Sequence, residues 1–284
     1  MTNLLDIDEG KFSRAFPDRS FSVSHNLTGS PLFQLSRLVE LSKQLPESCI
    51  EYNLGDLSVS QDPDQTPMNQ LSVEDTIKQI ESCQSWMVLK YVEQDPVYRE
   101  LLEACLSEVD LYSKSRVGSM EKPEAFIFIT SPGSITPFHF DPEHNFLLQI
   151  RGDKTMHTFD RLDRDLVPET SIERFYNKDA TPRNLEFHEA DQKKAITYNL
   201  KPGDGVFVPQ NAPHWVKNED EVSISFSITF RSDQSERLSR LYYINSQLRK
   251  FGMSPKPVMA SPMRDMFKDN TFRIIRRLKS VVGS

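Results

Sequence analysis

Residues 222–230, VSISFSITF, alternate strictly between apolar and hydroxyl-bearing side chains. Successive side chains of an extended strand point to opposite faces, so a period of two predicts a β-strand with one apolar face and one hydroxyl face. The apolar face would carry Val222, Ile224, Phe226, Ile228 and Phe230, and the hydroxyl face would carry Ser223, Ser225, Ser227 and Thr229. A helix, with about 3.6 residues per turn, does not separate these two sets, so this segment favours a sheet.

Other short segments in the middle of the chain are also apolar and β-rich, notably 125–130 (AFIFIT), 145–151 (NFLLQIR) and 154–159 (KTMHTF). Only Gly152-Asp153 separates the last two, and such a two-residue link predicts a β-hairpin. Residues 201–204 (KPGD) predict a type II turn, whose third position requires the positive φ that glycine adopts readily. Many short strands between turns predict a sandwich or barrel and not a parallel sheet.

The flanks of this β-rich region have helical patterns instead. Residues 32–45 and 96–109 repeat apolar side chains at helical spacing, and residues 236–251 and 262–282 do so after the β-rich region. Residues 161–195 are charged and interrupted by prolines, which predicts a long connection across the barrel mouth. The predicted divisions are a mainly helical flank packed on the barrel (1–120), a β core (121–232) and C-terminal helices (233–284).

Composition restricts the class of protein further. The formal net charge of −7 argues against a general nucleic-acid binder. The tail after Lys250 is locally basic, which predicts either a solvated helix face or a contact with an acidic partner. There is no run of about 18 apolar residues and no secretory signal, so we expect a cytoplasmic protein without a membrane span. Cys49, Cys83 and Cys105 are scattered and odd in number, which argues against disulfides and cysteine-ligated zinc.

The segment 136–141, TPFHFD, contains the main chemical signal. Residues two apart on a strand share a face, so His139 and Asp141 can present an imidazole nitrogen and a carboxylate to one point. Two histidines and one carboxylate on one face of an octahedron suit Fe(II) oxygenases. His214 is the candidate third ligand, because it follows an apolar strand and the tight segment 209–213, where a barrel strand would turn inward. An H-x-D pair alone is weak evidence, since many proteins contain one by chance.

The surrounding sequence, TPFHFDPEHNFLLQIRGDK, resembles the JmjC-type and cupin-like 2-oxoglutarate oxygenases, and especially the asparaginyl hydroxylase of hypoxia signalling and its bacterial relatives. That family has a Thr or Ser three residues before the first His, an Asn four residues after the Asp, and a Lys after the next turn. Thr136, Asn145 and Lys154 match these positions. The resemblance extends over about 130–159 and 201–230, and it implies a mainly β fold, a double-stranded β-helix (cupin or jelly-roll) core with N-terminal and C-terminal α-helical flanks.

The resemblance also implies roles for single residues. Lys154 and Thr136 would bind the distal carboxylate of 2-oxoglutarate, and Asn145 would orient the cosubstrate. The asparaginyl hydroxylase has an Asn on its last core strand that faces the cosubstrate, and here Ser227 and Thr229 of the hydroxyl face would take its place. A lysine ammonium in a barrel interior is costly without an anionic partner, which a dicarboxylate would supply.

The resulting hypothesis is an Fe(II)- and 2-oxoglutarate-dependent dioxygenase, with His139, Asp141 and His214 as metal ligands and catalytic residues. Dioxygen and 2-oxoglutarate would be cosubstrates, and a protein side chain, a peptide or a small metabolite would be hydroxylated. The terminal helices permit a homodimer. Two alternatives are a cupin-like binding or regulatory protein without turnover, and a metal cupin of different chemistry, such as an isomerase; sites of the latter kind usually have more histidines, often as H-x-H.

Overall fold

The computed structural model describes residues 3–62, 65–177 and 185–282, and within these ranges two antiparallel sheets pack face to face. In spatial order the larger sheet contains β1 (Leu5–Asp6), β2 (Phe21–His25), β10 (Asp204–Val208), β7 (His144–Arg151), β12 (Ser223–Ser232), β5 (Met120–Thr130), β4 (Ser85–Lys90) and β3 (Ile50–Leu54). The smaller sheet contains β6 (Ile135–His139), β11 (His214–Asn218), β8 (Lys154–Thr158) and β9 (Ile196–Leu200). The predicted double-stranded β-helix is confirmed.

The alternating segment forms β12, which lies between β7 and β5 in the larger sheet. Its apolar side chains, among them Phe226 and Ile228, are fully buried in the core between this sheet and the helices. Ser227 and Thr229 point the other way, into the space between the two sheets, where they line a cavity. The two faces predicted from the sequence therefore separate the structural core of the protein from the interior of the barrel.

The predicted hairpin at Gly152-Asp153 is wrong. β7 pairs with β10 and β12, whereas β8 pairs with β11 and β9, so the link is a corner at which the chain crosses from the larger sheet to the smaller one. Gly152 has φ +69°, and a Cβ atom at this position would collide with the carbonyl oxygen of Val222. A two-residue link fits either geometry, because its length does not determine which strand the next segment joins.

The turn at 201–204 has the predicted geometry. Gly203 has φ +98°, and the N–H of Asp204 donates to the carbonyl oxygen of Lys201 at 2.8 Å. This turn is also a corner, since it connects β9 of the smaller sheet to β10 of the larger sheet.

The helices flank the sheets on the outside: α1 (Glu9–Ala15), α2 (Leu35–Gln44), α3 (Val73–Lys78), α4 (Pro96–Val117), α5 (Glu169–Tyr176), α6 (Asp233–Lys250) and α7 (Pro262–Val282). α4 begins where the Asp95 side chain accepts the N–H of Val97 at 2.9 Å, and it ends at Gly118 with φ +82°. α6 begins with a capping box between Ser232 and Ser235.

The N-terminal region, predicted to be mainly helical, also contains strands. β5 starts at Met120 and α6 starts at Asp233, close to the divisions proposed from the sequence. However, β1 to β4 precede the first division and extend the larger sheet, with β2 paired to β10 and β4 paired to β5. The N-terminal strands are thus continuous with the β core.

The connection 161–195 contains α5 and a 3-10 helix at Glu189–Lys194, while residues 178–184 lie outside the described residues. α5 packs against α6, and both cover one end of the barrel through a cluster that includes Phe140, Ile172 and Leu241. Over the described ranges, none of the helices combines the length and apolarity needed to cross a membrane.

Candidate metal centre and adjoining cavity

Two neighbouring strands of the smaller sheet bring the predicted histidines together. β6 and β11 are antiparallel, and their register places His214 directly opposite His139. The pairing is irregular between His214 and Val216, and a bulge of this kind changes the direction of a side chain at the end of a strand. Asp141 follows β6 two residues after His139, as the spacing predicts.

The three side chains converge on one point. Nε2 of His214 lies 3.6 Å from Oδ2 of Asp141, and Nε2 of His139 lies 3.8 Å from the same oxygen. The two imidazole ring centroids are 4.2 Å apart. One ligand atom from each residue falls within 4.8 Å of the other two. Two imidazole nitrogens and a carboxylate oxygen at these separations match the donor set of a divalent transition-metal ion with open positions.

The backbone fixes which nitrogen of each imidazole faces this point. Nδ1 of His139 lies 2.7 Å from the carbonyl oxygen of Pro137, and Nδ1 of His214 lies 3.0 Å from the carbonyl oxygen of Ala212. A carbonyl oxygen only accepts, so each Nδ1 is the protonated donor of the neutral ring. Nε2 is then the unprotonated nitrogen, which is the form a metal requires.

A hydrogen-bonded chain from α5 holds the loop between β10 and β11. The N–H of Asn211 donates to the carbonyl oxygen of Asp141 at 2.8 Å, with Asn211 in the left-handed region at φ +61°. The hydroxyl of Tyr176 donates to Oδ1 of Asn211 at 2.9 Å and accepts from Nε2 of Gln210 at 3.0 Å. The segment that precedes His214 is therefore connected both to Asp141 and to α5.

A cavity of about 560 Å³ opens beside the three side chains, between β6 and the interior face of the larger sheet. His139 and Asp141 line it, and so do Thr136, Asn145, Ser227 and Thr229, which the sequence singled out. Aromatic rings form much of the remaining wall, those of Trp86, Tyr91, Phe126, Phe128 and Phe175. Six of the eight predicted site residues therefore surround one space.

Hydrogen bonds orient the polar groups of this wall. The hydroxyl of Ser227 donates to Oδ1 of Asn145 at 2.7 Å, so the amide nitrogen of Asn145 remains as its donor group. The hydroxyl of Thr229 donates to the carbonyl oxygen of Glu124 at 3.2 Å. Ser227 therefore orients Asn145, and both hydroxyls are already used as donors within the protein.

Lys154 and His214 are not among the residues that line the cavity. Lys154 is 5% exposed, and its side chain has no hydrogen bond or ion pair with any residue that the structure describes. Burial without a compensating charge lowers the pKa of Lys154 to about 7. His214 is also buried, at 3% exposed, and its imidazole belongs to the cluster with His139 and Asp141.

The pKa of an acidic residue that lines the cavity is also shifted. Burial, and secondarily the nearby charge of Asp141, raise the pKa of Glu143 to about 7, opposed by an ion pair with Arg231 at 2.8 Å. His144 points to the other side of the sheet and packs among Phe16, Phe207 and Phe230, where burial lowers its pKa to about 3. His144 is therefore a neutral core residue outside the cluster.

Sequence reasoning missed Trp86 and Tyr176. Trp86, Val88 and Lys90 all line the cavity, and their alternation along an otherwise apolar strand was a usable signal for a face directed at a polar interior. Tyr176 lies in a charged connection without a readable motif, and the two residues to which its hydroxyl is hydrogen-bonded are about 35 positions away. Trp215, directly after His214, faces away from the cavity and stacks on His157 with centroids 4.2 Å apart.

Comparison with known proteins gives a consistent result. The family model described as "Cupin-like domain" matches residues 39–236. Among curated proteins, JmjC domain-containing protein D of Dictyostelium discoideum is 33% identical over 101 residues, which is 34% of this chain and 22% of that protein. Jumonji C domain-containing protein 5 of Drosophila melanogaster is 26% identical over 149 residues, which is 50% of this chain and 36% of that protein. The chain thus spans about a third or less of the length of these relatives.

Solved structures share the fold at low sequence identity. The Escherichia coli protein ycfD superposes with a TM-score of 0.56 and 18% identity, covering 96% of this chain and 68% of that one. A structure of the E. coli ribosomal oxygenase YcfD in complex with cobalt and 2-oxoglutarate superposes with a TM-score of 0.55 and 17% identity, covering 98% and 68% of the two chains.

Proposed function

The chain belongs to the family of cupin-like domains, and from that premise we propose that it is an Fe(II)- and 2-oxoglutarate-dependent oxygenase that hydroxylates its substrate. The observation that carries the proposal is the cluster of His139, Asp141 and His214, with ligand atoms within 4.8 Å of one another beside a cavity of about 560 Å³. The relatives with JmjC names and the cobalt and 2-oxoglutarate complex of YcfD support the same assignment.

In this proposal the side chains of His139, Asp141 and His214 would hold Fe(II), a donor set that suits Fe(II) oxygenases. When bound, Fe(II) and 2-oxoglutarate supply the oxidising chemistry: one atom of dioxygen enters a substrate C–H bond, and the other enters succinate, which leaves with carbon dioxide. The protein fixes the ligand geometry through the carbonyl contacts of the two Nδ1 atoms, and the aromatic rings of the cavity provide apolar surface for the substrate.

The 2-oxoglutarate subsite is assigned to Thr136, Asn145 and Lys154, with Ser227 orienting Asn145 and Thr229 closing the same wall. Two features support it: the Lys154 ammonium has no anionic partner among the described residues, and the amide nitrogen of Asn145 is the donor left over at the cavity. A buried ammonium gains an ion pair when a carboxylate binds, and this gain favours a dicarboxylate over a neutral ligand.

The test is conversion of 2-oxoglutarate to succinate by the purified protein with Fe(II) in air. We expect turnover in the wild type and none in His139→Ala or Asp141→Ala. His157→Ala is the matched control, because this ring stacks on Trp215 away from the cluster and its loss should leave succinate formation unchanged. A folded wild type that binds metal and 2-oxoglutarate but forms no succinate favours the alternative, a cupin-like binding or regulatory protein.

The substrate is proposed as a protein side chain, a peptide or a small metabolite, in line with the ribosomal oxygenase among the structural neighbours.

A homodimer through the C-terminal helices is part of the same proposal. Met263, Phe267 and Ile274 on one face of α7 are 79%, 72% and 58% exposed, and such a stripe favours pairing with a second apolar surface. Sedimentation at the mass of a monomer would overturn the dimer without affecting the proposed activity.

A further inference from the structure

Trp86 lies on β4 with its side chain in the interior of the barrel. The strand register places it opposite Thr130 of β5 and Asn53 of β3, and its ring centroid lies 5.9 Å from that of Phe128. The ring lines the cavity that His139 and Asp141 also line. An indole in this position is next to any ligand that fills the cavity.

The indole makes one directed contact, and its polarity is fixed. Nε1 of Trp86 lies 2.9 Å from Oγ1 of Thr136. An indole N–H only donates, so the threonine oxygen is the acceptor, whereas a bond between two hydroxyls can run in either direction. The hydroxyl hydrogen of Thr136 is therefore excluded from this contact and has to point elsewhere.

Among the described residues, the Thr136 hydroxyl makes no hydrogen bond other than the one from Trp86, and Thr136 itself lines the cavity. A partly buried hydroxyl whose oxygen already accepts a bond is set up to donate to an incoming ligand. By occupying the oxygen of the Thr136 hydroxyl as an acceptor, Trp86 leaves this hydroxyl to act as a donor toward the cavity.

The smaller sheet, which contains Thr136, contributes a second donor without a partner among the described residues, the ammonium of Lys154. Thr136 of β6 and Met156 of β8 both lie opposite Val216 of β11, and Lys154 of β8 lies opposite Asn218, the next inward-facing position of β11. Thr136 and the buried Lys154 therefore flank β11 on its two sides. A hydroxyl and an ammonium, both without acceptors, form the complement of a carboxylate.

We propose that Trp86 is a positioning residue of the cosubstrate subsite: by donating to Oγ1 of Thr136, it aims the hydroxyl hydrogen at the carboxylate of the bound dicarboxylate. This inference rests on the proposed function, because it requires that 2-oxoglutarate binds in this cavity. It assigns to Trp86 an effect on cosubstrate affinity that acts through Thr136.

The experiment is calorimetric titration of 2-oxoglutarate into the full chain loaded with Mn(II), which avoids turnover. Trp86→Phe keeps an aromatic ring but removes the donor, and we expect its Kd to rise roughly 5- to 20-fold. This is less than the roughly 10- to 150-fold cost of losing a hydrogen bond to a charged group, because the Thr136 hydroxyl itself stays in place. Trp215→Phe is the matched control, since Trp215 faces away from the cavity, and its Kd should equal that of the wild type.

A double-mutant cycle separates positioning from a general structural effect. Thr136→Val removes the hydroxyl, and Trp86→Phe should then cause no further loss of affinity in that background. Thr136→Ser retains the hydroxyl and should keep the sensitivity to Trp86→Phe. Additive losses in the cycle, or an unchanged Kd in Trp86→Phe, would overturn the inference.

A fluorescence measurement covers the case in which Trp86→Phe does not fold. The chain contains two tryptophans, so in Trp215→Phe all indole emission comes from Trp86. We expect 2-oxoglutarate to change this emission saturably, with the Kd found by calorimetry. No change despite calorimetric binding would place the ligand away from Trp86 and overturn the inference, whereas absence of any binding to the Mn(II)-loaded wild type would overturn the proposed function itself.

Discussion

Both histidines of the cluster are oriented by the same local contact. In each, Nδ1 bonds the carbonyl oxygen of the residue two positions earlier, Pro137 for His139 and Ala212 for His214. The contact needs no partner from elsewhere in the fold, so the position of the Nδ1 proton is set by the segment that carries the ring. Asp141 has a backbone tie of its own, the bond from the N–H of Asn211. Two local contacts and one long-range backbone hydrogen bond therefore hold the segments that carry the three donors.

Lys154 is the residue at which stability and the proposed function conflict. Burial lowers its pKa to about 7 from an ordinary value of 10.5, so the protein without cosubstrate is destabilised by this side chain at neutral pH. The penalty is greatest below pH 7, where the native state must hold the charge, and it diminishes as the pH rises toward 10.5.

Lys154→Met keeps the aliphatic stem and removes the charge. We expect the free energy of unfolding in urea at pH 7 to rise by roughly 1 to 4 kcal/mol, because the ammonium no longer has to be desolvated or deprotonated. The same variant should lose measurable binding of 2-oxoglutarate. Wild-type affinity for 2-oxoglutarate in this variant would contradict the assigned role, and lowered stability would mean that the ammonium is satisfied in the native state.

At the scale of elements, α5 supports the loop between β10 and β11. The hydroxyl of its last residue, Tyr176, is hydrogen-bonded to the side chains of Gln210 and Asn211. The backbone N–H of Asn211 in turn donates to the carbonyl oxygen of Asp141. α5 is in turn fixed to α6 by the ion pair of Glu173 with Arg249 at 2.6 Å, and the rings of Tyr176 and Tyr242 stack with centroids 5.6 Å apart. The geometry of the cluster therefore depends on helices outside the barrel.

Tyr176→Phe tests this dependence. The variant removes one hydroxyl that both donates to Asn211 and accepts from Gln210, and we expect the affinity for Mn(II), measured by calorimetry, to fall about 10-fold, as is typical when a residue that supports metal ligands is lost. Tyr198→Phe is the control, because its hydroxyl donates to Ser20 at 3.0 Å away from the cluster. Equal losses in the two variants would show that the loop is held by other contacts.

Strands with alternating side chains could be predicted from the sequence, whereas strand pairing that depends on tertiary contacts could not. The faces of β12 and the pair of His139 and Asp141 follow from a period of two, which is a local property. The link at Gly152-Asp153 was predicted as a hairpin, because a two-residue turn does not specify which sheet receives the next strand. β1 has only two residues, too few for a periodic signal, and its place in the sheet depends on pairing with β2.

For the molecule as a whole, the larger sheet separates two environments. On one side its apolar residues and the helices form the main core, which includes fully buried rings such as Phe146, Phe207 and Phe226. On the other side its hydroxyl and amide groups face the cavity and the smaller sheet. Burial disfavours the charged form of two histidines of the larger sheet: the pKa of His144 is lowered to about 3, and that of His25 is also lowered.

Global stability should accordingly depend on pH in the acidic range. The folded pKa of His144 is depressed, so its contribution is fully present above the unfolded value near 6.5 and is lost as the pH falls toward 3. We expect the free energy of unfolding to decrease between pH 6.5 and pH 5 by about 2 kcal/mol from this residue. His144→Phe, which suits the surrounding rings, should show a shallower decline in urea titrations; an identical decline would mean that His144 takes up a proton in the folded state.

The most direct test of the central claim is an anaerobic titration of the Fe(II)-loaded protein with 2-oxoglutarate, followed by visible absorption. Chelation of Fe(II) by the keto and carboxylate oxygens of 2-oxoglutarate produces a metal-to-ligand charge-transfer band. The account predicts that this band appears and saturates at one equivalent per chain, and that it is absent in His214→Ala under the same conditions. A protein that binds both Fe(II) and 2-oxoglutarate without the band, or a band of full intensity in His214→Ala, would contradict a shared site at His139, Asp141 and His214.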